Sequence, residues 1–446
     1  MLEYLHLKNV GPAPEIELEL APRLNILTGD NGLGKSFLLD TAWWALTRRW
    51  PRDVNKTLVS GYPARPRDPR RPAAIAFRLE SKTGGVCYES RFSNEDQAWI
   101  GNAGRPPNPG LVLYAHADGG FSVWDPARNY WKTRGQVDVQ DRLPAYVFSA
   151  RDVWGGLDAE VDGARVPLCN GLIRDWSNWI QAATSDAGRM AEALKGLSPS
   201  QEPQDLLCPG LLQRLSVNDA RDYPSVRSPV AGDVPIVHAS AGVKRIAALS
   251  YMLNWSWGEH RKAAAFLGQT ATDQVVMLVD EIESHLHPRW QRTILGGLLQ
   301  LIPAMHAGAR VQLIAATHSP LILASAEPYF DRTQDAWFDM DLESDAVRNG
   351  GDQGANAEVV VRRREYARLG DVSNWLTSPA FDLQVARSVE SERAILAARA
   401  VLADRGHATP IAVRTVDAAL RKVLTDIDPF WVRWSAFAEP FLEPVA

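Results

Sequence analysis

Residues 24 to 50 constrain what this chain can fold into more than any other stretch. Leu24-Asn-Ile-Leu-Thr28 is a short apolar run of strand character, and Gly29-Asp30-Asn31-Gly32-Leu33-Gly34-Lys35-Ser36 follows it at once. Phe37 to Trp50 then continues in helix-forming, apolar-rich sequence. A strand that feeds a glycine-rich loop and opens a helix is the local structure a phosphate-binding loop requires. The glycines let successive backbone N–H groups turn inward at a helix N-terminus and cradle phosphate oxygens. Lys35 is expected to bring a positive charge to the β- and γ-phosphates, and the Ser36 hydroxyl to ligate magnesium. Gly29 to Phe37 is therefore the expected nucleotide-binding segment.

Three further motifs bear on the same chemistry. Val275-Val-Met-Leu-Val279-Asp280-Glu281 reads as a buried strand ending in two adjacent carboxylates. By itself such a pair also describes a solvated acidic turn. Beside a phosphate-binding loop, Asp280 is expected to hold magnesium and Glu281 to polarise an attacking water. ATP and Mg2+ are the expected cofactors. Ser240-Ala-Gly242-Val-Lys-Arg245 opens the helix upstream of that strand. A serine and a glycine amide at a helix N-terminus make a second anion site, or simply an ordinary serine cap. Val311 to Ala316 is a further buried strand, and it ends in Thr317-His318-Ser319-Pro320.

In this order the four motifs resemble those of ABC-type ATPases of the SMC, RecF and OLD groups. The resemblance is strong over residues 1–50 and 236–326 and weak over 73–235, where no glutamine-loop residue is assignable. It implies an α/β fold: an ABC-ATPase head with a P-loop NTPase sheet, an antiparallel β subdomain and a helical insertion, plus a mainly helical C-terminal region. It makes His318 the switch histidine that contacts the γ-phosphate, beside Lys35 and Glu281 as catalytic groups. Ser240 and Gly242 become the signature that meets the γ-phosphate held by another subunit, so that a homodimer sandwiches two nucleotides. Asp280-Glu-Ile-Glu-Ser-His-Leu-His-Pro288 looks like the segment found in OLD-type and related small ATPases of bacterial anti-phage defence. Ile282 stands where a proline often follows the glutamate. The implied function is an ATP-driven switch or sensor that controls a separate effector.

The remaining residues set expected boundaries at 1–72, 73–235, 236–327 and 328–446. Pro51 to Pro72 reads as a loop, Ala73 to Val147 as mostly antiparallel sheet, Arg174 to Gly196 as helix, and Ser198 to Val234 as irregular. Asp331 to Gly354 is acidic and glycine-bearing, Ser388 to Arg405 is a helix, and the end is rich in Trp and Phe. The acidic stretch and the aromatic tail around Phe430, Trp431 and Trp434 are the expected docking segments for an effector. At 46% apolar and 23% charged residues the composition is that of a soluble globular chain. The sequence offers neither a secretion signal nor an apolar run that could cross a membrane, so a cytoplasmic protein is expected. Three distant cysteines neither staple a fold nor bind zinc. A net charge of -5 argues against a uniformly basic coat. The run Arg48, Arg49, Arg52, Lys56, Arg65, Arg67, Arg70 and Arg71 is either a solvated loop or a nucleic-acid contact.

Three alternatives stay in view. Asp339-x-Asp341 invites comparison with the nuclease centre of full OLD proteins, which would make the chain an OLD- or RecF-like DNA-processing enzyme. Glu283, His285 and His287 have the spacing of a metal site, although the resembling families place a dimer-contacting D-loop there. A transporter ATPase would carry a fuller Leu-Ser-Gly-Gly-Gln signature.

Overall fold

Leu5, Leu7, Ile16 and Leu18 alternate with polar neighbours, and their segments pair as antiparallel strands β1 (Leu2–Lys8) and β2 (Glu15–Glu19). β3 (Leu24–Gly29) is buried at every position and leads through the glycine loop into α1 (Lys35–Thr47). A single turn, α2 (Pro51–Val54), opens the segment expected as loop. Strands β4 (Ala74–Leu79), β5 (Val86–Ser93) and β6 (Ala98–Gly101) then complete a five-stranded antiparallel sheet in the order β2-β1-β4-β5-β6. The computed structural model describes residues 1–80, 85–101, 107–130, 143–161, 163–228, 232–305, 308–344, 357–381 and 383–442. It divides into two compact units, Met1–Gly370 and Asp371–Ala446.

The middle of the first unit alternates sheet and helix. β7 (Leu111–Ala115), β8 (Phe121–Trp124) and β9 (Tyr146–Phe148) precede α3 (Ala150–Gly155). A hairpin of β10 (Leu157–Val161) and β11 (Ala164–Cys169) leads to α4 (Leu172–Gln181) and α5 (Ser185–Gly196). β12 (Cys208–Pro209), β13 (Ser225–Ser228) and β14 (Gly232–Pro235) form a small sheet where irregular chain was expected. Strands of two to four residues are too short to display a period in sequence. The long α6 (Ala241–Phe266) packs against α4 and α5.

The chain then returns to the main sheet with β15 (Gln274–Val279), α7 (Pro288–Gln291), α8 (Ile294–Met305), β16 (Arg310–Ala316) and α9 (Pro320–Ala326). It finishes with β17 (Asp335–Ser344) and β18 (Ala357–Arg364). The main sheet has eight strands in the order β18-β17-β3-β16-β15-β7-β8-β9. Its centre, β17-β3-β16-β15-β7, is parallel, and antiparallel strands flank it on both sides. α1 is buried on nearly all sides, as a helix must be when it lies between two layers. It touches β1 of the five-stranded sheet and β3, β7, β15 and β16 of the main sheet, and one hydrophobic core joins all of them.

β17 and β18 precede the helices that make the region after residue 327 mainly helical, as expected. Asp335, Asp339 and Asp341 give this stretch its acidic character, but every residue from Asp335 to Met340 is buried, on both faces of the strand. Asp339 is satisfied by Thr28 Oγ1 at 3.0 Å and by two nitrogens of Arg364. Asp341 faces Arg362. The two carboxylates of the nuclease comparison are thus engaged by their own sheet. Residues 345–356 of the acidic stretch lie outside the described residues.

The second unit has helices at Val389–Ala403, Pro410–Val423 and Phe430–Leu442 around a core of Ala398, Val413, Leu420, Trp434 and Ala438. Trp434, expected in a docking tail, is fully buried, and its indole N–H donates to Asp417 Oδ1 at 3.0 Å. Trp434→Ala is expected to cost this small unit about 3–5 kcal/mol. Hydrogen exchange should then quicken throughout residues 389–442 while the sheet of residues 1–370 keeps its protection. Unchanged exchange in the three helices would contradict this account of their core.

Candidate functional site

The parallel centre of the main sheet brings the C-terminal ends of β3, β7, β15 and β16 to one edge. Ligands of open α/β sheets bind outside such an edge, at the carboxyl ends of the strands. β3 delivers the glycine loop there, β15 delivers Asp280, and β16 delivers Thr317 and His318.

Close packing holds the loop open. Gly29 has φ +134°, and a Cβ on it would lie 2.3 Å from the carbonyl oxygen of Met340 in β17. Gly34 caps α1 with φ +100°, and a Cβ there would collide with the Pro12 ring at 2.7 Å. Neither site admits another residue without moving its neighbour. Thr28, directly before the loop, is buried and accepts from the Trp337 indole N–H at 2.8 Å. β17 therefore scaffolds the loop, a role no local motif announced.

Lys35 is buried, and its Nζ donates to the carbonyls of Gly29 at 2.7 Å and Asp30 at 2.8 Å. Burial holds its pKa below the usual lysine value, while the carboxylates of Asp280, Glu283, Asp30 and Glu281 oppose that shift. Ser36 is exposed at the first turn of α1 and hydrogen-bonds Asp280. Burial raises the Asp280 carboxyl to about 6; the bond from Ser36 opposes the shift and the neighbouring Glu281 adds to it. These two oxygen donors suit a hard cation such as magnesium, which takes one or two protein oxygens and completes its shell with water and phosphate.

The turn after β15 is fastened on both sides. Asp280 N–H donates to Ala115 O in β7, and Ile282 N–H donates to Ala316 O in β16. Glu281 between them has φ +45°, a conformation L-residues rarely adopt. Strain of this kind persists where surrounding structure over-determines it, and it clusters at functional sites. His318 is half-buried; burial and then the charge of Lys35 lower its pKa. Lys35, Ser36, Asp280, Glu281 and His318 thus converge on one edge.

Ser240 and Gly242 sit differently. Ser240 is exposed and caps α6, accepting from Val243 N–H at 3.4 Å. Gly242 is buried against the turn that follows β15, where a Cβ would lie 3.1 Å from the His285 carbonyl oxygen. His287 caps α7 by accepting from Arg289 N–H at 3.3 Å. Among the described residues no cluster of three His, Cys, Asp or Glu side chains could hold a metal ion.

Three groups near the edge went unread in the sequence. Asp40 lies one turn beyond Ser36 on the same face of α1. Burial raises its carboxyl to about 7, and it accepts from the Tyr114 hydroxyl at 3.0 Å. His116 follows β7, and its pKa is lowered to about 3 by burial and by the charge of Arg245. Arg245, a residue of the signature segment, lies within electrostatic reach of Asp118, Asp280 and Glu281. Asp40 alone had a local signal, its four-residue spacing from Ser36.

A family model described as "AAA domain, putative AbiEii toxin, Type IV TA system" matches residues 24–324. Over 50 residues the chain is 44% identical to the "Retron Vc95 probable ATPase" of Vibrio cholerae serotype O1 biovar El Tor, which is 11% of this chain and 9% of that protein. Over 48 residues it is 44% identical to the Septu protein PtuA of Bacillus mycoides strain KBAB4, which is 11% of this chain and 6% of that protein. Among solved structures, it is similar to the SMC head domain from Thermotoga maritima, with TM-score 0.37 and 14% identity over 82% of this chain and 99% of that one. A structure of the recombination mediator protein RecF gives TM-score 0.35 and 12% identity over 76% of this chain and 95% of that one. No helix among the described residues is long and apolar enough to cross a membrane. The family model covers well over half of the chain, which belongs to this family of AAA-domain proteins, AAA_21.

Proposed function

We propose that this chain binds and hydrolyses ATP with magnesium, and that two copies close around ATP as a switch for a separate effector in an anti-phage defence module. The observation that carries the enzymatic part is the convergence of Lys35, Ser36, Asp280, Glu281 and His318 at one sheet edge. The loop amides and Lys35 would hold the phosphates, and the Ser36 hydroxyl and Asp280 carboxylate would hold magnesium. Bound there, magnesium would neutralise charge on the β- and γ-phosphate oxygens. Glu281 would accept a proton from the attacking water. His318 would contact the γ-phosphate from the end of β16.

The dimer rests on the exposed position of Ser240 at the N-terminus of a 26-residue helix. A hydroxyl and free amides at such a helix end suit an anion carried by another molecule. The defence setting is supported by the names of the retron and Septu relatives, whose matched stretches are a small part of their length. An ATP sandwich changes only shape, so the reading includes a partner that responds to that shape.

Mixing tests the sandwich. Ser240→Arg and Lys35→Ala are each expected to be inactive alone. A heterodimer of the two has one composite site with an intact loop from one chain and an intact signature from the other. ATP turnover should return in a heterodimer isolated through two different tags. Absence of turnover there would favour a signature acting within its own chain, or two sites that fire only together.

A further inference from the structure

Glu283 has no part in the magnesium or proton-transfer roles above, yet it lies at the centre of the site. Two residues beyond Glu281, its carboxylate turns inward to the loop that follows β16. Oε2 accepts from the Thr317 hydroxyl at 2.7 Å, and Oε1 accepts from the His318 backbone N–H at 2.6 Å. Both oxygens are occupied by donors of the switch segment. A second bridge runs beside the first: the Ser319 hydroxyl donates to Gln291 Oε1 at 2.7 Å, and Gln291 Nε2 donates to the Leu286 carbonyl at 2.9 Å. The turn after β15 and the turn after β16 are therefore laced together at three consecutive switch residues.

We propose that Glu283 is a positioning residue that fixes the switch segment Thr317–Ser319, and with it His318, in register with the reacting phosphate. The proposal deepens the ATPase reading and rests on it. A carboxylate bonded to a backbone N–H makes a strong, short, directional tether. Here the tether sets where β16 releases its chain, which decides where the imidazole can reach. The same turn carries the His285 carbonyl against Gly242. A shift at the signature end of α6 would thus be passed through Glu283 to His318.

The residue acts through another, so the test asks whether its effect depends on that other. Alanine leaves the Thr317 hydroxyl and the His318 N–H without their acceptor. Glutamine keeps a route: its amide oxygen can accept from His318 N–H, while its amide nitrogen donates to the Thr317 hydroxyl. Glu283→Ala in the full chain should lower kcat for ATP by about 10- to 100-fold, the scale of a small misplacement of a reacting group. ATP affinity, read by equilibrium binding, should stay near that of the wild type. Glu283→Gln should recover most of the lost kcat. Placed on His318→Ala, Glu283→Ala should add no further loss, because a tether to an absent imidazole has nothing to position.

A kcat for Glu283→Ala equal to the wild type, or a full additive loss on His318→Ala, would overturn the proposal. Hydrogen exchange separates it from the ATPase reading. Without nucleotide, Glu283→Ala should speed exchange of the His318 amide selectively, and Glu283→Gln should not. Unchanged exchange at His318 overturns the tether even in an active enzyme. A wild-type protein with no ATP turnover but a tethered His318 overturns only the ATPase reading and the catalytic purpose assigned to the tether.

Discussion

Lys35→Ala is expected to weaken ATP binding by about 100- to 5,000-fold, the cost of about 3–5 kcal/mol for removing one partner of a buried charge pair. The ammonium is buried beneath the loop and bonded to two of the loop's own carbonyls, those of Gly29 and Asp30. Its removal therefore takes away the fixed positive charge facing the phosphates and also unfastens the loop around it. The glycine amides remain, so residual binding is expected at high ATP concentration. Fluorescent-nucleotide titration checks this, and tight binding equal to the wild type would remove the loop from the account.

Glu281→Gln is expected to keep ATP and magnesium binding while hydrolysis slows by about 100- to 10,000-fold, the usual cost of losing a positioned base. The substitution is nearly isosteric, so the fastened turn and its positive φ should persist. Ser36 and Asp280 are untouched, which is why binding and turnover should separate. Turnover at the wild-type rate would assign the base elsewhere, with Glu281 left as a strained corner of the turn.

Much of this site was legible because its chemistry is encoded locally. Gly29 to Ser36 is contiguous, and the roles proposed for its glycines, Lys35 and Ser36 follow from residue type and spacing. The strands that deliver Asp280 and His318 are short apolar runs ending in the residues that matter. What stayed hidden depends on pairing across hundreds of residues. β17 supports Gly29 and Thr28 through Met340, Asp339 and Trp337, but its acidic residues disguised a strand that is buried on both faces. Glu283 had suggested metal ligation beside His285 and His287; only the fold shows its carboxylate committed to Thr317 and His318.

The basic run was similarly ambiguous in sequence. Arg48 stacks on Trp44 at 3.7 Å and bonds Ser90, Arg52 lies over Tyr62 at 4.1 Å, and Arg65 bonds Gln97. Arg67 faces Glu358, Arg71 faces Asp68, and Lys56 faces Asp53. Much of that charge is used within the chain. The aromatic tail divides in the same way, since Trp434 is core whereas Val432 beside it is exposed. Local composition identified both segments without telling which side chains face inward.

The molar mass of Glu281→Gln in saturating ATP and magnesium, measured by light scattering, tests the switch most directly. Slow hydrolysis should trap the closed state, so the account predicts a mass twice that of one chain. Adding Ser240→Arg, or withholding ATP, should return it to the mass of a single chain. A single-chain mass for Glu281→Gln with ATP demonstrably bound would contradict the ATP-closed dimer.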